Sequence, residues 1–171
     1  MACSITLSGL ARDCSPNMGG IVEVYIANFA DVNTVTVTDN VITAISMANS
    51  AKFKAYSFRK NTGSLTSTLT KDTAAGITFV TSDLVLQFSR METTKRVEMS
   101  ALSLGDLAVI CKDCNGVCWY LGKDNPVNAS AGDGQTGTAK ADANRYSITL
   151  QDESADWPLE VDSSIVAGLV A

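Results

Sequence analysis

From Ile21 onward the chain is written in short runs that alternate apolar and polar residues, rich in Val, Ile, Thr and aromatics, each closed by a cluster of Gly, Asn, Asp or Pro. A period of two sends successive side chains to opposite faces of an extended backbone, so these runs read as half-buried β-strands. They cover Ser4 to Leu7, Ile21 to Asn28, Thr34 to Thr38, Val41 to Met47, Phe53 to Phe58, Leu65 to Thr70, Ile77 to Arg90, Leu107 to Cys111, Val117 to Leu121 and Arg145 to Gln151. Turn signals separate them: Ser15-Pro16-Asn17 with Gly19-Gly20, Asp39-Asn40, Asn61-Thr62-Gly63, Lys71-Asp72 with Gly76, and Asn115-Gly116. Many short strands at such spacing predict a mainly β fold, an antiparallel β-sandwich or barrel. One segment departs from the period of two. In Glu92 to Leu104, Val97, Ala101 and Leu104 recur at helical spacing before Gly105, which predicts a single flanking α-helix with Lys95, Arg96 and Glu98 facing outward.

With 171 residues the chain makes one domain, and 46% hydrophobic residues suffice for a substantial core. We read a single domain over 1–171, with the N-terminal segment, the 124–144 loop and the C-terminal segment as inter-subunit arms. The first residues carry neither a basic nor a long apolar stretch, and Arg12-Asp13 precede Cys14, so no signal peptide or lipoprotein signal is expected. No run approaches the ~20 apolar residues that span a bilayer. Without a secretory signal the five cysteines are expected as reduced thiols. Cys111, Cys114 and Cys118 approach a zinc half-site spacing, but a second half-site is missing and Asn115-Gly116 marks a hairpin turn between them, so structural hairpin cysteines are the preferred reading.

The chain contains no histidine, which excludes Ser-His-Asp and Cys-His nucleophile systems and His-ligated metal hydrolases. Carboxylate pairs remain available for acid–base work, but Asp152 with Glu153, Asp156 with Glu160 and Asp31 with Asp39 all lie where solvated acids are ordinary. No enzyme, cofactor or metal is expected. Asp124-Asn125 with Asp133 is too scattered for calcium. Gly132-Asp133-Gly134-Gln135-Thr136-Gly137 matches the dinucleotide fingerprint formally, yet it sits in a polar stretch with no strand before it and no helix after it. A net charge of -5 opposes tight binding to a phosphate backbone.

The stretch Phe53 to Arg90 reads as one long hairpin around Lys71–Gly76. Thr66, Ser67, Thr68 and Thr70 supply uncharged hydroxyls, while Leu84, Leu86 and Phe88 alternate as a buried face would. Such a ribbon suits pairing with another copy by strand addition, and it equally suits an ordinary meander. The subunit-interface candidates are Thr66, Thr68, Thr70, Lys71, Asp72, Leu84 and Leu86.

Phe58-Arg59-Lys60-Asn61-Thr62-Gly63-Ser64, a long hairpin, a helix with Lys95-Arg96 and Ala101-Leu102, and Tyr120-Leu121-Gly122-Lys123-Asp124-Asn125 together resemble virion proteins of tailed phages infecting Bacteroidota. Thr136–Ala139, Asp142–Tyr146 and Ser147–Leu150 extend the likeness, which runs from about Gly9 to Glu160 and is greatest to tail tube proteins; Arg145 departs from it, standing where glycine is common. The resemblance implies a β-sandwich flanked by a helix, six copies forming a ring whose inner strands make a continuous barrel, and rings stacked into a tube in the virion tail, assembled in the host cytoplasm. Its implied partners are other copies of the chain, tail proteins such as the tape measure and terminator, and viral DNA passing without sequence recognition; no membrane or small-molecule substrate is implied. The 53–90 hairpin would then supply lumen strands and inter-ring contacts, and Thr68→Pro would block assembly of a folded monomer. The rival readings are a terminator, neck ring or capsid decoration protein and, in a different class, a carbohydrate-binding or adhesin-like sandwich using Trp119 and Tyr120.

Overall fold

The computed structural model describes residues 7–171. Cys3 and the strand expected at Ser4 to Leu7 lie outside them, apart from Leu7, and residues 7–20 form an exposed segment without secondary structure. The fold is mainly β, in two sheets. A seven-stranded sheet contains β1 (Ile21–Asn28), β2 (Val32–Thr38), β3 (Val41–Met47), β4 (Lys54–Tyr56), β7 (Leu107–Asp113), β8 (Cys118–Leu121) and β11 (Leu159–Val161), in the order β2-β3-β11-β8-β7-β1-β4. A four-stranded antiparallel sheet contains β5 (Gly63–Asp72), β6 (Ile77–Ser89), β9 (Asn128–Gln135) and β10 (Arg145–Ser154), in the order β5-β6-β10-β9. Two helices complete it, α1 (Thr93–Leu104) and α2 (Ser163–Leu169).

Alternation explains the layering. Val24, Ile26, Val109, Cys111 and Leu121 join Leu84, Leu86, Phe88, Ile148 and Leu150 in the core between the sheets. The intervening residues Ala27, Ala108, Ile110, Cys118 and Tyr120 turn the other way and pack with Ile42, Phe53, Val161 and Val166 of α2. The seven-stranded sheet is therefore covered on both faces, the four-stranded sheet on one. The sheets cross steeply, because successive strands of the larger sheet meet successive rows of the smaller. Gly122, just after β8, donates to Asp152 at one end (3.2 Å), Ile21 of β1 lies beside Gly63 further along, and Tyr56 of β4 packs on Phe88 at the other end, ring centroids 6.3 Å apart.

Four expectations are corrected. The hairpin is β5–β6 over 63–89 and not 53–90, because β4 pairs with β1 in the other sheet and Phe53 is buried beneath α2, bridged to Val170. The 124–144 stretch is not one loop: β9 runs through it, paired along β10. Its Gly- and Asn-rich composition conceals the strand from propensity, but a small residue is needed where its neighbours crowd it; a Cβ on Gly134 would sit 2.9 Å from the Tyr146 ring of β10 and 3.1 Å from Met91 Cε, just before α1. The C-terminal segment is no arm, since β11 inserts between β3 and β8 and α2 closes the second core. The helix expected at 92–104 is present, but turned over. Leu102 is buried and Met99 packs toward the core, while Val97 and Leu104 are 55% and 91% exposed, and Lys95 turns back to donate to the Ser89 carbonyl at 2.7 Å. Among the described residues, no helix is long and apolar enough to cross a membrane.

Candidate assembly interface

Thr66, Thr68, Thr70, Lys71 and Asp72 all lie on β5, an edge strand, and all are exposed. Leu84 and Leu86 do not join them: both are 0% exposed on the inner face of β6, so neither can meet a neighbour. The period of two that marked them as interface candidates is the mark of the core face.

Register decides which main-chain groups the edge offers. Gln87 donates to the Thr62 carbonyl at 3.1 Å, and the same register continues through Ser64↔Val85, Thr66↔Asp83 and Thr68↔Thr81. In an antiparallel ladder hydrogen-bonded pairs alternate with non-bonded ones, so the even-numbered residues of β5 turn their N–H and C=O toward β6. Leu65, Ser67 and Leu69 turn theirs to the open edge, and sequence reading missed them because their side chains, not their backbones, carried the pattern. The same argument from Arg90 donating to Asn144 O at 2.7 Å, with Tyr146↔Phe88 and Arg145↔Ser89, aims the even residues of β10 at β6 and the odd ones at β9. Through Arg145↔Gln135 and Ser147↔Asp133, the free main-chain groups of β9 beyond its register shift at Ser130 are then those of Gly132 and Gly134. Thr68 donates inward, so proline there would break the hairpin itself, contrary to the expectation from sequence.

The uncovered face of this sheet carries Thr66, Thr68 and Thr70 from β5, Thr81, Asp83, Val85 and Gln87 from β6, Arg145, Ser147, Thr149, Gln151 and Glu153 from β10, and Asp133 and Gln135 from β9. Its side chains are cross-linked: Gln151 donates to Asp83 at 2.8 Å and Arg145 to Gln87 at 2.7 Å. Beyond Val80 the hairpin outruns β10 and projects, leaving Leu69 and Ile77 each 48% exposed; Asp72 Oδ1 accepts from Ala74 N at 2.9 Å to shape the tip.

Beneath the base of that projection runs a buried polar row. The Ser67 and Ser82 hydroxyls lie 2.8 Å apart, and Asp152, paired opposite Ser82 and 2% exposed, accepts from Gly122 N at 3.2 Å and Ser154 Oγ at 2.5 Å. Burial raises the Asp152 carboxyl above its ordinary range despite those bonds. Burial and the nearby Asp152 push Tyr120 up to about 12, and its hydroxyl is buried without a partner. Gly122 turns this corner at φ 92°, where a Cβ would sit 3.1 Å from the Leu107 carbonyl.

The other sequence candidates scatter. Cys111 faces the inter-sheet core and Cys118 the core under α2, so the two thiols diverge; burial pushes Cys111 up to about 12. Among the described residues no three cysteine or carboxylate side chains converge as a metal-holding group. Tyr120 is 2% exposed and Trp119 packs toward the core with its Nε1 3.3 Å from Asp113, leaving no aromatic platform there; the exposed ring is Trp157, at 51%. Gly132–Gly137 spans a strand and the turn after it, not a strand-to-helix junction. No protein-family model, curated protein or solved structure matches the chain.

Proposed function

We propose that the chain is a structural virion protein of the tail tube kind, which self-assembles into six-membered rings that stack into the conduit for DNA ejection. The observation that carries this reading is the four-stranded sheet with two open edges. Its strands alternate in direction from β5 to β9, so β5 of a second, like-oriented copy would lie antiparallel to β9 and continue the ladder. Leu65, Ser67 and Leu69 of one copy would meet Gly132 and Gly134 of the next. The contact is head-to-tail, and such contacts close into rings when the rotation per copy is right. The uncovered polar face would then line the lumen. It carries Thr, Ser and Gln with Asp83, Asp133 and Glu153, against the single cation Arg145, a surface that does not retain a phosphate backbone. The tape measure and terminator are its further partners, and DNA passes without sequence recognition.

Negative-stain electron microscopy of the purified chain over a concentration series, with light-scattering mass, tests this. Rings or hollow tubes are expected. A chain that stays at 18.0 kDa throughout and binds immobilised glycans would favour the adhesin-like reading instead.

A further inference from the structure

The four-stranded sheet has two ends, and their charges differ in sign. At the end where β6 leaves for α1 lie the exposed cations Arg59, Lys60, Arg90, Arg96 and Lys140, placed there by three links. The 59–62 turn is held to Gln87, Arg90 to Asn144, and the 136–144 turn joins the ends of β9 and β10. Three exposed anions accompany them, and each is engaged: Glu92 pairs with Lys95 at 2.8 Å, Glu98 accepts from the Tyr56 hydroxyl, and Asp142 accepts from Thr138 N and Ala139 N at 2.7 Å each. At the hairpin end the exposed groups are Asp72, Asp124, Glu153 and Asp156, against Lys71 and Lys123, the latter 3.6 Å from Asp124. Asn125 ties this acidic group together by donating to the Glu153 carbonyl at 2.9 Å, and the projecting hairpin rises beside it.

We infer that the cationic helix end of one copy is the docking surface for the acidic hairpin end of another, so that copies stack head-to-tail along the strand direction. This rests on the ring reading: edge-to-edge closure leaves strands running broadly along the ring axis, which turns the two ends into the two faces of the ring. Opposed fields at the two faces orient an approaching ring and penalise inverted docking, where like charges meet. Because the faces differ, the contact never closes on itself and stacking continues without limit.

The test is electron microscopy with light scattering on the full-length chain at ~0.1 M and ~1 M NaCl, where the screening length falls from about 10 Å to about 3 Å. Stacks are expected at low salt and single rings at high salt. Arg59→Glu with Lys60→Glu, and separately Glu153→Lys with Asp156→Lys, should each give unstacked rings at low salt. All four substitutions in one chain reverse both faces and should restore stacks. Stacks unaffected by salt and by either pair, or rings that never stack, overturn this inference and leave ring closure standing. A chain that forms no rings under any condition overturns both.

Discussion

In the seven-stranded sheet the edges are β4, only three residues long, and β2, whose pairing with β3 shifts register twice. In the four-stranded sheet one edge is β5, ten residues in unbroken register with β6, and the other is β9, eight residues whose pairing with β10 shifts register once and is regular over 131–135. Short or bulged edge strands resist further pairing, whereas a long regular one is a template for it. The coverage of the faces differs in parallel: the larger sheet is packed on both sides and the smaller on one. One sheet is thus packed on both faces between short or shifted edges, and the other keeps an open face and open edges.

The comparison breaks most severely if the covered face of the smaller sheet is damaged. Leu86 is 0% exposed between the sheets, so Leu86→Ala is expected to cost about 2–5 kcal/mol of stability, read by urea or thermal unfolding. Thr66→Ala, on the uncovered face of the neighbouring strand, should fall within about 0.5 kcal/mol. Equal costs would mean that the smaller sheet is not one-sided.

Next in size is a pair of prolines on β5 that separates inner from outer main-chain groups. Thr68→Pro removes a ladder bond to β6 and leaves a carbonyl without its donor, for an expected loss of about 1–3 kcal/mol. Leu69→Pro removes an N–H that faces the open edge from a residue already 48% exposed. It should leave the unfolding midpoint nearly unchanged while abolishing rings in the electron microscope. Rings formed normally by Leu69→Pro would place the subunit contact elsewhere.

How far these positions were legible in the sequence follows the same division. Strands with alternating Val, Ile and aromatic residues, β1 and β3 above all, match their expected bounds because one half-buried face leaves a clear period of two. β9 was not legible, since Asn128–Gln135 lacks β-branched and aromatic residues and extends because β10 offers it a partner, with the Tyr146 ring and Met91 leaving no room for a Cβ at Gly134. β11 is three residues long, too short for any period. The face of α1 was misread because its stripe of Val97, Ala101 and Leu104 is real but points outward. Most of the interface candidates fall on an exposed edge strand, but side-chain pattern says nothing of which backbone groups are already paired.

A smaller effect sharpens the contrast at the buried polar row. Asp152 binds its proton more tightly folded than unfolded, so the folded state holds more protons between the ordinary carboxylate value of 3.8 and the raised one, and stability falls as pH rises through that window. Tyr120, Asp124 and Glu153 lie near it, and Lys123, which lines the same cavity, is paired with Asp124 at 3.6 Å. Asp152→Asn removes this term while keeping an acceptor for Gly122 N. The variant should therefore gain on the wild type as pH rises above the ordinary carboxylate value of 3.8, measured by urea midpoints at each pH. A difference that stays flat with pH would mean the carboxyl is not held above its ordinary range.

The smallest expected effect is at Tyr120, where the two cores approach each other through β8. Its ring is 2% exposed and packs beneath α2, so the hydrophobic contribution belongs to the covered scaffold, but its hydroxyl is buried without a hydrogen-bond partner. A buried hydroxyl without a partner has lost its hydration and gained nothing in exchange. Tyr120→Phe keeps the ring and deletes only that atom, so stability should be unchanged or rise by up to about 1 kcal/mol. The gain should not vary with pH between 6 and 8 (about two units or more below where a tyrosine this hindered ionises), because the group stays neutral throughout. A loss of more than about 1 kcal/mol would show that the hydroxyl does hold a bond in solution, with Asp152 as the acceptor it lies beside. In that event Tyr120→Phe and Asp152→Asn would be non-additive, and the polar row under the hairpin would join the two sheets rather than merely separate them.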